Sequence, residues 1–304
     1  MKVVIFGCQQ IAVDIIKKMI INSKVDLPLI ITYELPLDQT YGYESVLDFS
    51  KKSKLNVINP LQVTSSLVDQ IKGINPDIIL SLYYRKILPK SIIELPRLGC
   101  INIHPSLLPE YRGPVPTAWA IEKGEKNFGI TIHKMDNGID TGDILIQKKY
   151  RIFHNETGFE LYTRAMKLGA KLFNDNFSKI IDGKIKPKPQ NGIGSYYGKK
   201  NGRYTIDWKK SVEEIRNMIR VHAPPYNPAD TILFNRYVLV NRSREYFIKG
   251  HVAQTPGKII KVLEDERLVV SCSDGLLLLE DYKIIPSLNK KDKVIYLKAG
   301  NSFG

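Results

Sequence analysis

Residues 100–145 of the chain read CINIHPSLLPEYRGPVPTAWAIEKGEKNFGITIHKMDNGIDTGDIL. Two apolar runs in this stretch have the length of buried strands, and each leads into a loop rich in proline or glycine. The first run ends with Asn102 and His104, and the loop after the second run carries Asp136 and Asp140. Because an amide, an imidazole and carboxylates gather where two strands end, we predict that this stretch forms a functional site.

The chain before this stretch predicts a doubly wound, mostly parallel α/β sheet. Val3–Phe6 is a short apolar strand, and the apolar residues of Ile11–Ile20 recur at helical spacing. Asp77–Tyr83 is a continuous apolar run of the kind found in a central parallel strand. The first turn reads GCQQIA, so the GxGxxG fingerprint of dinucleotide sites is absent. We therefore expect a Rossmann-like sheet without a classical NAD or FAD site.

The tail of the chain has a different pattern. Between Asp230 and Ile285, short runs of β-branched and aliphatic residues are separated by turn residues about every ten positions. This spacing is typical of a small antiparallel barrel. We predict a catalytic α/β domain at residues 1–182, a basic linker at 183–203, and a C-terminal domain at 204–304 that combines a helix with an OB-like β-barrel.

The net charge of the 304-residue chain is +14. This charge suits a nucleic acid, an anionic membrane surface or a phosphorylated small substrate, and a lysine-rich solvated surface also explains it. The three cysteines are far apart, so we predict no disulfide framework. No targeting segment opens the chain, and no apolar stretch reaches the roughly 18 residues that span a bilayer. We expect a cytoplasmic protein with reduced thiols and no membrane partner.

The residues of the opening stretch suit acid–base chemistry. Asn102 and His104 are two positions apart, so on a strand they point to the same face. The amide can donate to a developing oxyanion while the imidazole moves a proton. A carboxylate near His104 would orient the ring and raise its pKa, and Asp140 is the best candidate for it. The alternative stays open that these are a turn cap, a buried structural histidine and a solvated loop.

Two other kinds of site are not supported by the spacing of residues. A metal site could group His104 and His133 with the nearby carboxylates, but no HxH, HExxH or EF-hand pattern is present. A serine hydrolase using Ser106 would need a GxSxG elbow, which is absent. We therefore expect neither a metal ion nor a nucleophilic serine.

The pattern NIHPSLLPxYRG…HxMDxGxDTGDI resembles the catalytic domain of 10-formyltetrahydrofolate-dependent formyltransferases. That family includes methionyl-tRNA formyltransferase, glycinamide ribonucleotide transformylase and the sugar N-formyltransferases. The resemblance implies that 10-formyltetrahydrofolate donates a formyl group to a primary amine. It also implies that Asn102, His104 and Asp140 are the catalytic residues, and none of the three is missing.

Two further features favour a sugar acceptor within the family. The segment LSLYYRK is similar to a segment of sugar N-formyltransferases, and residues 34–43 carry no basic residue where methionyl-tRNA formyltransferases carry a basic insertion. We therefore expect a nucleotide-linked amino sugar as the acceptor and no nucleic-acid partner. Methionyl-tRNA formyltransferase is the alternative, and a non-catalytic ligand-binding module on the same scaffold is a second one. A homodimer is left open.

The resemblance also suggests contacts around the catalytic residues. For the folate we predict contacts from the end of the fourth strand and from the acidic loop: Tyr84, Arg85, Lys86, Ile87, Leu88, Asp136, Gly138 and Ile139. For the acceptor we predict contacts from the first turn, the loop after His104 and the Pro-rich turn near residue 225: Gln9, Gln10, Ser106, Arg112 and Tyr226.

Overall fold

The computed structural model describes residues 1–33, 41–199, 202–250 and 254–304. The chain divides into two compact units, and each is described by itself. The first unit comprises Met1–Pro116, Asn127–Tyr150 and Thr163–Gly198, and the second comprises Thr117–Lys126, Arg151–Tyr162 and Lys199–Gly304.

The first half of the chain alternates strands and helices. Its elements are β1 (Lys2–Gly7), α1 (Gln9–Met19), β2 (Asp26–Ile31), α2 (Val46–Lys52), β3 (Val57–Ile58), α3 (Ser65–Ile74), β4 (Ile78–Leu82), α4 (Lys90–Ile93), β5 (Cys100–His104), α5 (Pro116–Glu122), β6 (Asn127–Lys134), β7 (Ile144–Arg151) and α6 (Gly158–Ile181).

The seven strands form one sheet in the order β3-β2-β1-β4-β5-β6-β7. The pairs β1–β2, β1–β4, β2–β3 and β4–β5 are parallel, whereas β5–β6 is antiparallel. All five residues of β4 are buried, as its unbroken apolar run predicts for a central strand. The predicted doubly wound, mostly parallel sheet is confirmed. Its parallel strands β4 and β5 are neighbours, so their carboxyl ends lie at one edge of the sheet.

Three short helices were absent from the sequence prediction. The helix α2 buries only Val46 and Ser50, and α3 buries only Leu67 and Ile71. The seven residues of α2 are too few to show a clear periodicity, whereas Leu67, Ile71 and Ile74 do recur at helical spacing in α3 and this signal was not used. Both helices are also marked at their starts, because Ser45 and Thr64 cap them with side-chain hydrogen bonds. The third, α4, is a four-residue turn of helix.

The second unit contains an antiparallel sheet, as predicted for the tail. After residue 199 the elements of this unit are α7 (Val212–Val221), β8 (Ala229–Leu233), β9 (Arg236–Tyr246), β10 (Ile259–Val262), β11 (Leu268–Ser271), β12 (Leu276–Ile285) and α8 (Lys290–Tyr296). Five strands pair in the order β10-β11-β12-β9-β8. At the two outer strands, Phe303 bridges Leu233 of β8 and Ser302 bridges Lys258 beside β10. Residues 302–303 therefore pair with both edges of this sheet.

The core of the second unit is built by residues from its helix and its sheet. Trp208 stacks on Phe303 with ring centroids 5.2 Å apart, and its indole donates to Thr231 Oγ1 at 3.0 Å. Ser211 and Glu214 form a capping box that starts α7.

Within the described parts of the chain, no helix combines the length and apolar character needed to cross a bilayer.

Candidate active site

Strand pairing brings two polar side chains together at the centre of the first unit. Asn102 on β5 lies directly opposite His133 on β6, and His104 ends β5 opposite Thr131. Residues directly opposite on antiparallel strands have side chains close enough to interact. Both histidines are buried, with 5% of His104 and 1% of His133 exposed. The sheet itself therefore fixes the amide and both imidazoles.

A tight loop between β6 and β7 delivers Asp140. The Asp136 carboxylate shapes this loop, because its Oδ1 accepts from the Gly138 amide at 3.0 Å and from Thr141 Oγ1 at 2.6 Å. A side chain at Gly142 would collide with the backbone carbonyl of Lys134, so only glycine fits there. Asp140 has a φ of +54°, a conformation that Asp tolerates better than most residues.

The Asp140 carboxylate contacts every other polar group of the site. Its Oδ2 accepts from the Gly113 amide at 2.9 Å and lies 3.5 Å from His104 Nδ1. Its Oδ1 accepts from Asn102 Nδ2 at 3.3 Å and lies 3.6 Å from His133 Nε2. Burial alone would raise the pKa of Asp140, but the Gly113 amide, and the neighbouring imidazoles whenever they are protonated, hold it well below its usual range. Asp140 is therefore a fixed negative charge.

Backbone carbonyls determine which ring nitrogen of each histidine carries a hydrogen. His104 Nε2 lies 2.8 Å from the carbonyl of Tyr111, which can only accept, so Nε2 carries the hydrogen and Nδ1 the lone pair. His133 Nδ1 donates in the same way to the Lys134 carbonyl at 2.8 Å, which leaves its Nε2 to accept from Asn102 Nδ2 at 3.0 Å. The proton-accepting atom of His104 consequently faces the Asp140 carboxylate.

Burial lowers the pKa of His104 below its ordinary value of 6.5, and the charge of Asp140 and the Tyr111 carbonyl only partly offset this. Asp140 does raise this pKa, as expected of a nearby carboxylate, but the desolvation of the buried ring outweighs that effect. The expectation identified the right carboxylate, but it had no means of weighing the desolvation of a ring buried on the sheet. His104 is therefore neutral at physiological pH and can accept a proton.

We expect His104 to remain neutral, with its hydrogen on Nε2, in the free protein at pH 6.5. The physical reason is that its buried site disfavours the imidazolium, while the Tyr111 carbonyl selects the Nε2–H tautomer. Nitrogen-15 NMR of the histidine rings, assigned with a His104→Gln variant, measures both properties. A ring that is half protonated at pH 6.5, or that carries its hydrogen on Nδ1, would contradict this assignment.

His133 is the site residue that the sequence analysis left as a simple strand position. Its ring accepts from Asn102 and so orients the amide that faces Asp140. The antiparallel pairing of β5 with β6 is what places His133 opposite Asn102. The register could not be derived from the sequence alone, because more than twenty residues and a helix intervene.

The residues predicted to contact the folate differ in how exposed their side chains are. Tyr84 and Leu88 are buried in the core, where the Tyr84 ring packs against Phe6 at 5.2 Å. Lys86 Nζ donates to the carbonyls of Pro60 and Leu61. The other five residues of this set are exposed. Arg85 and Ile87 follow β4, and Asp136, Gly138 and Ile139 lie in the acidic loop.

Most residues predicted to contact the acceptor have polar groups engaged within the protein. Gln10 bonds to Asp14 and to the Glu44 amide, and Ser106 Oγ donates to the Glu110 carbonyl at 2.6 Å.

The remaining three acceptor candidates have separate locations. Gln9 is buried, with a φ of +64° at the start of α1. Arg112 donates from Nε and Nη2 to Gln190 Oε1 at 3.2 and 2.7 Å. Tyr226 belongs to the second unit, where it packs edge-on against Phe159.

Among the residues that the structure describes, no group of His, Cys, Asp and Glu is arranged to hold a metal ion.

Sequence comparisons cover both units. A family model described as "Formyl transferase" matches residues 1–176, and one described as "Formyl transferase, C-terminal domain" matches residues 199–287. Curated relatives include the methionyl-tRNA formyltransferase of Clostridium novyi, 32% identical over 92% of this chain and 91% of its own. That of Clostridioides difficile is 32% identical over 99% of this chain and 97% of its own.

Solved structures share the fold. The N-formyltransferase of Helicobacter canadensis, in complex with folinic acid and dTDP-3-aminofucose, has a TM-score of 0.72 at 25% identity over 92% of this chain and 98% of its own. The methionyl-tRNA formyltransferase of Clostridium thermocellum has a TM-score of 0.60 at 21% identity over 94% of this chain and 99% of its own. The structural likeness therefore extends to proteins that differ in their acceptors.

Proposed function

The chain belongs to the formyl transferase family, and we propose that it transfers the formyl group of 10-formyltetrahydrofolate to the α-amino group of methionyl-tRNA. One observation carries the choice of acceptor. Curated relatives that match this chain over nine-tenths or more of its length, at 30–35% identity, are methionyl-tRNA formyltransferases. The alignment with them includes both family regions, so it is not limited to the catalytic stretch.

The expectation of a nucleotide-linked amino sugar as acceptor, and of no nucleic-acid partner, is wrong. The curated relatives overturn it, whereas the sugar N-formyltransferases are neighbours in structure at 23–25% identity. The segment LSLYYRK misled the prediction for a physical reason: Tyr84 packs between Phe6 and Tyr33 in the core. Packing of this ring in the core explains an aromatic residue at position 84 without reference to the acceptor.

The charge of the chain supports an RNA acceptor. A net charge of +14 attracts a phosphate backbone, and binding of this kind weakens as salt rises. The absence of basic residues from the loop at 34–43 had argued against tRNA. Residues 34–40 of that loop lie outside the described part of the chain, so the structure gives no geometry for them.

Exposed residues after β4 and in the loop that carries Asp140 suit a folate as the formyl donor. Ile87 is 85% exposed at the carboxyl end of β4, and Ile139 is 49% exposed beside the catalytic carboxylate. These apolar side chains can cover a flat ring system, while Arg85, also exposed, offers a positive charge. When bound, the donor supplies a formyl group held as an amide at N10.

His104 moves the proton in this proposal. The incoming amine must lose a proton as its nitrogen bonds to the formyl carbon, and the lone pair of His104 Nδ1 accepts it. The imidazolium that forms lies 3.5 Å from Asp140 Oδ2, so the carboxylate stabilises it. As the bond between the formyl carbon and N10 breaks, the same ring returns the proton to N10, and the balance closes.

Asn102 stabilises the negative charge on the formyl oxygen. Its Nδ2 has two hydrogens: one donates to His133 Nε2 at 3.0 Å and the other to Asp140 Oδ1 at the longer distance of 3.3 Å. We assign the second hydrogen to the developing oxyanion. Its bond to Asp140 is longer and therefore weaker, so it is the bond more easily replaced by a bond to the formyl oxygen. His133 keeps the amide group in orientation while that exchange takes place.

We expect the purified protein to formylate methionyl-tRNA with 10-formyltetrahydrofolate and to leave nucleotide-linked amino sugars unmodified. The assay offers charged tRNA, uncharged tRNA and a panel of dTDP-, UDP- and GDP-linked amino sugars side by side. Formyl transfer is followed by acid gel mobility of the aminoacyl-tRNA and by release of tetrahydrofolate. Formylation of a sugar alone would overturn the choice of acceptor. Ligand binding without any release of tetrahydrofolate would instead favour a non-catalytic module.

A further inference from the structure

One side-chain amide connects the two loops that complete the active site. Gln190 Nε2 donates to the backbone carbonyls of Asp140 and Gly142, both at 2.8 Å. At its other end, Gln190 Oε1 accepts from Nε and Nη2 of Arg112 at 3.2 and 2.7 Å. All four residues belong to the first unit.

Both loops carry groups that touch His104 or Asp140. The loop at 136–142 contains the Asp140 carboxylate itself. The loop at 109–113 supplies the Tyr111 carbonyl, which binds His104 Nε2, and the Gly113 amide, which binds Asp140 Oδ2. A displacement of one loop relative to the other would therefore change the contact between the ring and the carboxylate.

We infer that Gln190 is a positioning residue for formyl transfer, which holds the Asp140 carboxylate at its working distance from His104 through the two loops. This inference rests on the proposed function. Gln190 lies in the glycine- and lysine-rich segment predicted as a linker. It acts through Asp140 and does not itself touch the substrate.

Ser195 provides an independent tie from the same segment. The Tyr111 amide donates to Ser195 Oγ at 2.9 Å, and the Arg112 amide donates to the Ser195 carbonyl at 2.9 Å. Lys188 is also paired, through a backbone bridge to Ile144 at the start of β7. The segment is thus anchored on both sides of Gln190, so its amide is held in place and acts on the loops.

The charged and titratable groups that face His104 are few. Asp140, from the loop after β6, raises its pKa, and His133, from β6, lowers it. The Tyr111 carbonyl binds the ring from the loop after β5. A retreat of Asp140 would remove the group that favours the imidazolium, so the pKa of His104 should fall further.

The test replaces Gln190 with Met, which keeps the length of the side chain and removes its hydrogen bonds. We expect Gln190→Met to lower kcat by roughly 10- to 100-fold, because a small displacement of catalytic groups has large effects, with little change in the KM for the folate. In the same variant, NMR should find the pKa of His104 lower than in the wild type, because Asp140 is the group that raises it.

Gln147→Met is the matched control. Gln147 Nε2 also forms two hydrogen bonds in the first unit, to the Leu108 carbonyl at 2.8 Å and to Thr131 Oγ1 at 2.9 Å, but it contacts neither Asp140 nor Arg112. We expect a comparable change in melting temperature and an unchanged pKa of His104 in this variant.

The outcomes separate the inference from the proposed function. An unchanged pKa of His104 in Gln190→Met, or an equal shift in Gln147→Met, would reduce Gln190 to a structural residue. If the wild-type protein transferred no formyl group to any acceptor, the proposed function would fail, while the NMR comparison would still decide whether Gln190 positions Asp140.

Discussion

Replacing His104 with Gln is expected to lower kcat by roughly 100- to 10,000-fold while the protein stays folded. Gln can still donate to the Tyr111 carbonyl that holds the His104 ring at 2.8 Å, so the local hydrogen bond survives. It has no lone pair of suitable basicity to take the proton of the attacking amine. Formylation of methionyl-tRNA under saturating conditions measures kcat, and the melting temperature reports folding.

His154→Gln is the control for this change. His154 is an exposed histidine of the second unit, so the same substitution removes an imidazole away from the site. Its activity should stay within about twofold of the wild type, as is usual for surface substitutions. A loss below tenfold in His104→Gln would remove His104 from proton transfer. A large loss accompanied by an equal loss in His154→Gln would show that the assay reports something other than the site.

The spacing of residues predicted side chains that the structure brings together, Asn102, His104 and Asp140, but it did not predict the pKa shift of His104. Asn102 and His104 share a face because the side chains of a strand alternate, and the register places both at one edge of the sheet. The direction of the His104 pKa shift depends on burial by both sheet neighbours and loops. No local pattern in the sequence records that burial, and so the carboxylate was weighed without the larger opposing effect.

The segment at 183–203 illustrates a different limit. Its basic residues and glycines describe a solvated, turn-rich chain, and those properties are compatible with the structure. They are silent about Gln190 and Ser195, whose bonds reach residues more than forty positions away. The first unit extends to Gly198, and the three-part division of the chain remains a prediction.

The acceptor was mispredicted because the catalytic stretch is common to enzymes with different acceptors. In the proposed mechanism Asn102, His104 and Asp140 act on the formyl group, which is the same whichever amine attacks it. Tyr84 was taken as a residue of the binding site, but its ring is part of the core. Surfaces that recognise a large RNA are assembled from residues distant in sequence, and a short motif cannot represent them.

Replacing Asn102 with Ala is expected to lower kcat by roughly 100- to 1,000-fold, equivalent to about 2.7–4 kcal/mol of transition-state stabilisation. Ala removes both hydrogens of Nδ2, one of which is directed at Asp140 and is assigned to the developing oxyanion. His104 can still accept the proton, so the remaining activity should exceed that of His104→Gln. Steady-state formylation measures kcat, and equilibrium binding of the folate shows whether the donor still binds normally.

Asn56→Ala is the control, because it makes the same chemical change outside the candidate active site. Asn56 is an exposed residue of the first unit whose Nδ2 donates to the Pro28 carbonyl at 2.8 Å, so its loss removes one amide hydrogen bond outside the site. We expect wild-type kcat in this control. A fall of less than tenfold in Asn102→Ala would exclude its amide as the main oxyanion donor. Weaker folate binding with an unchanged kcat would assign Asn102 to ground-state binding, because an interaction made equally in the ground and transition states does not change kcat.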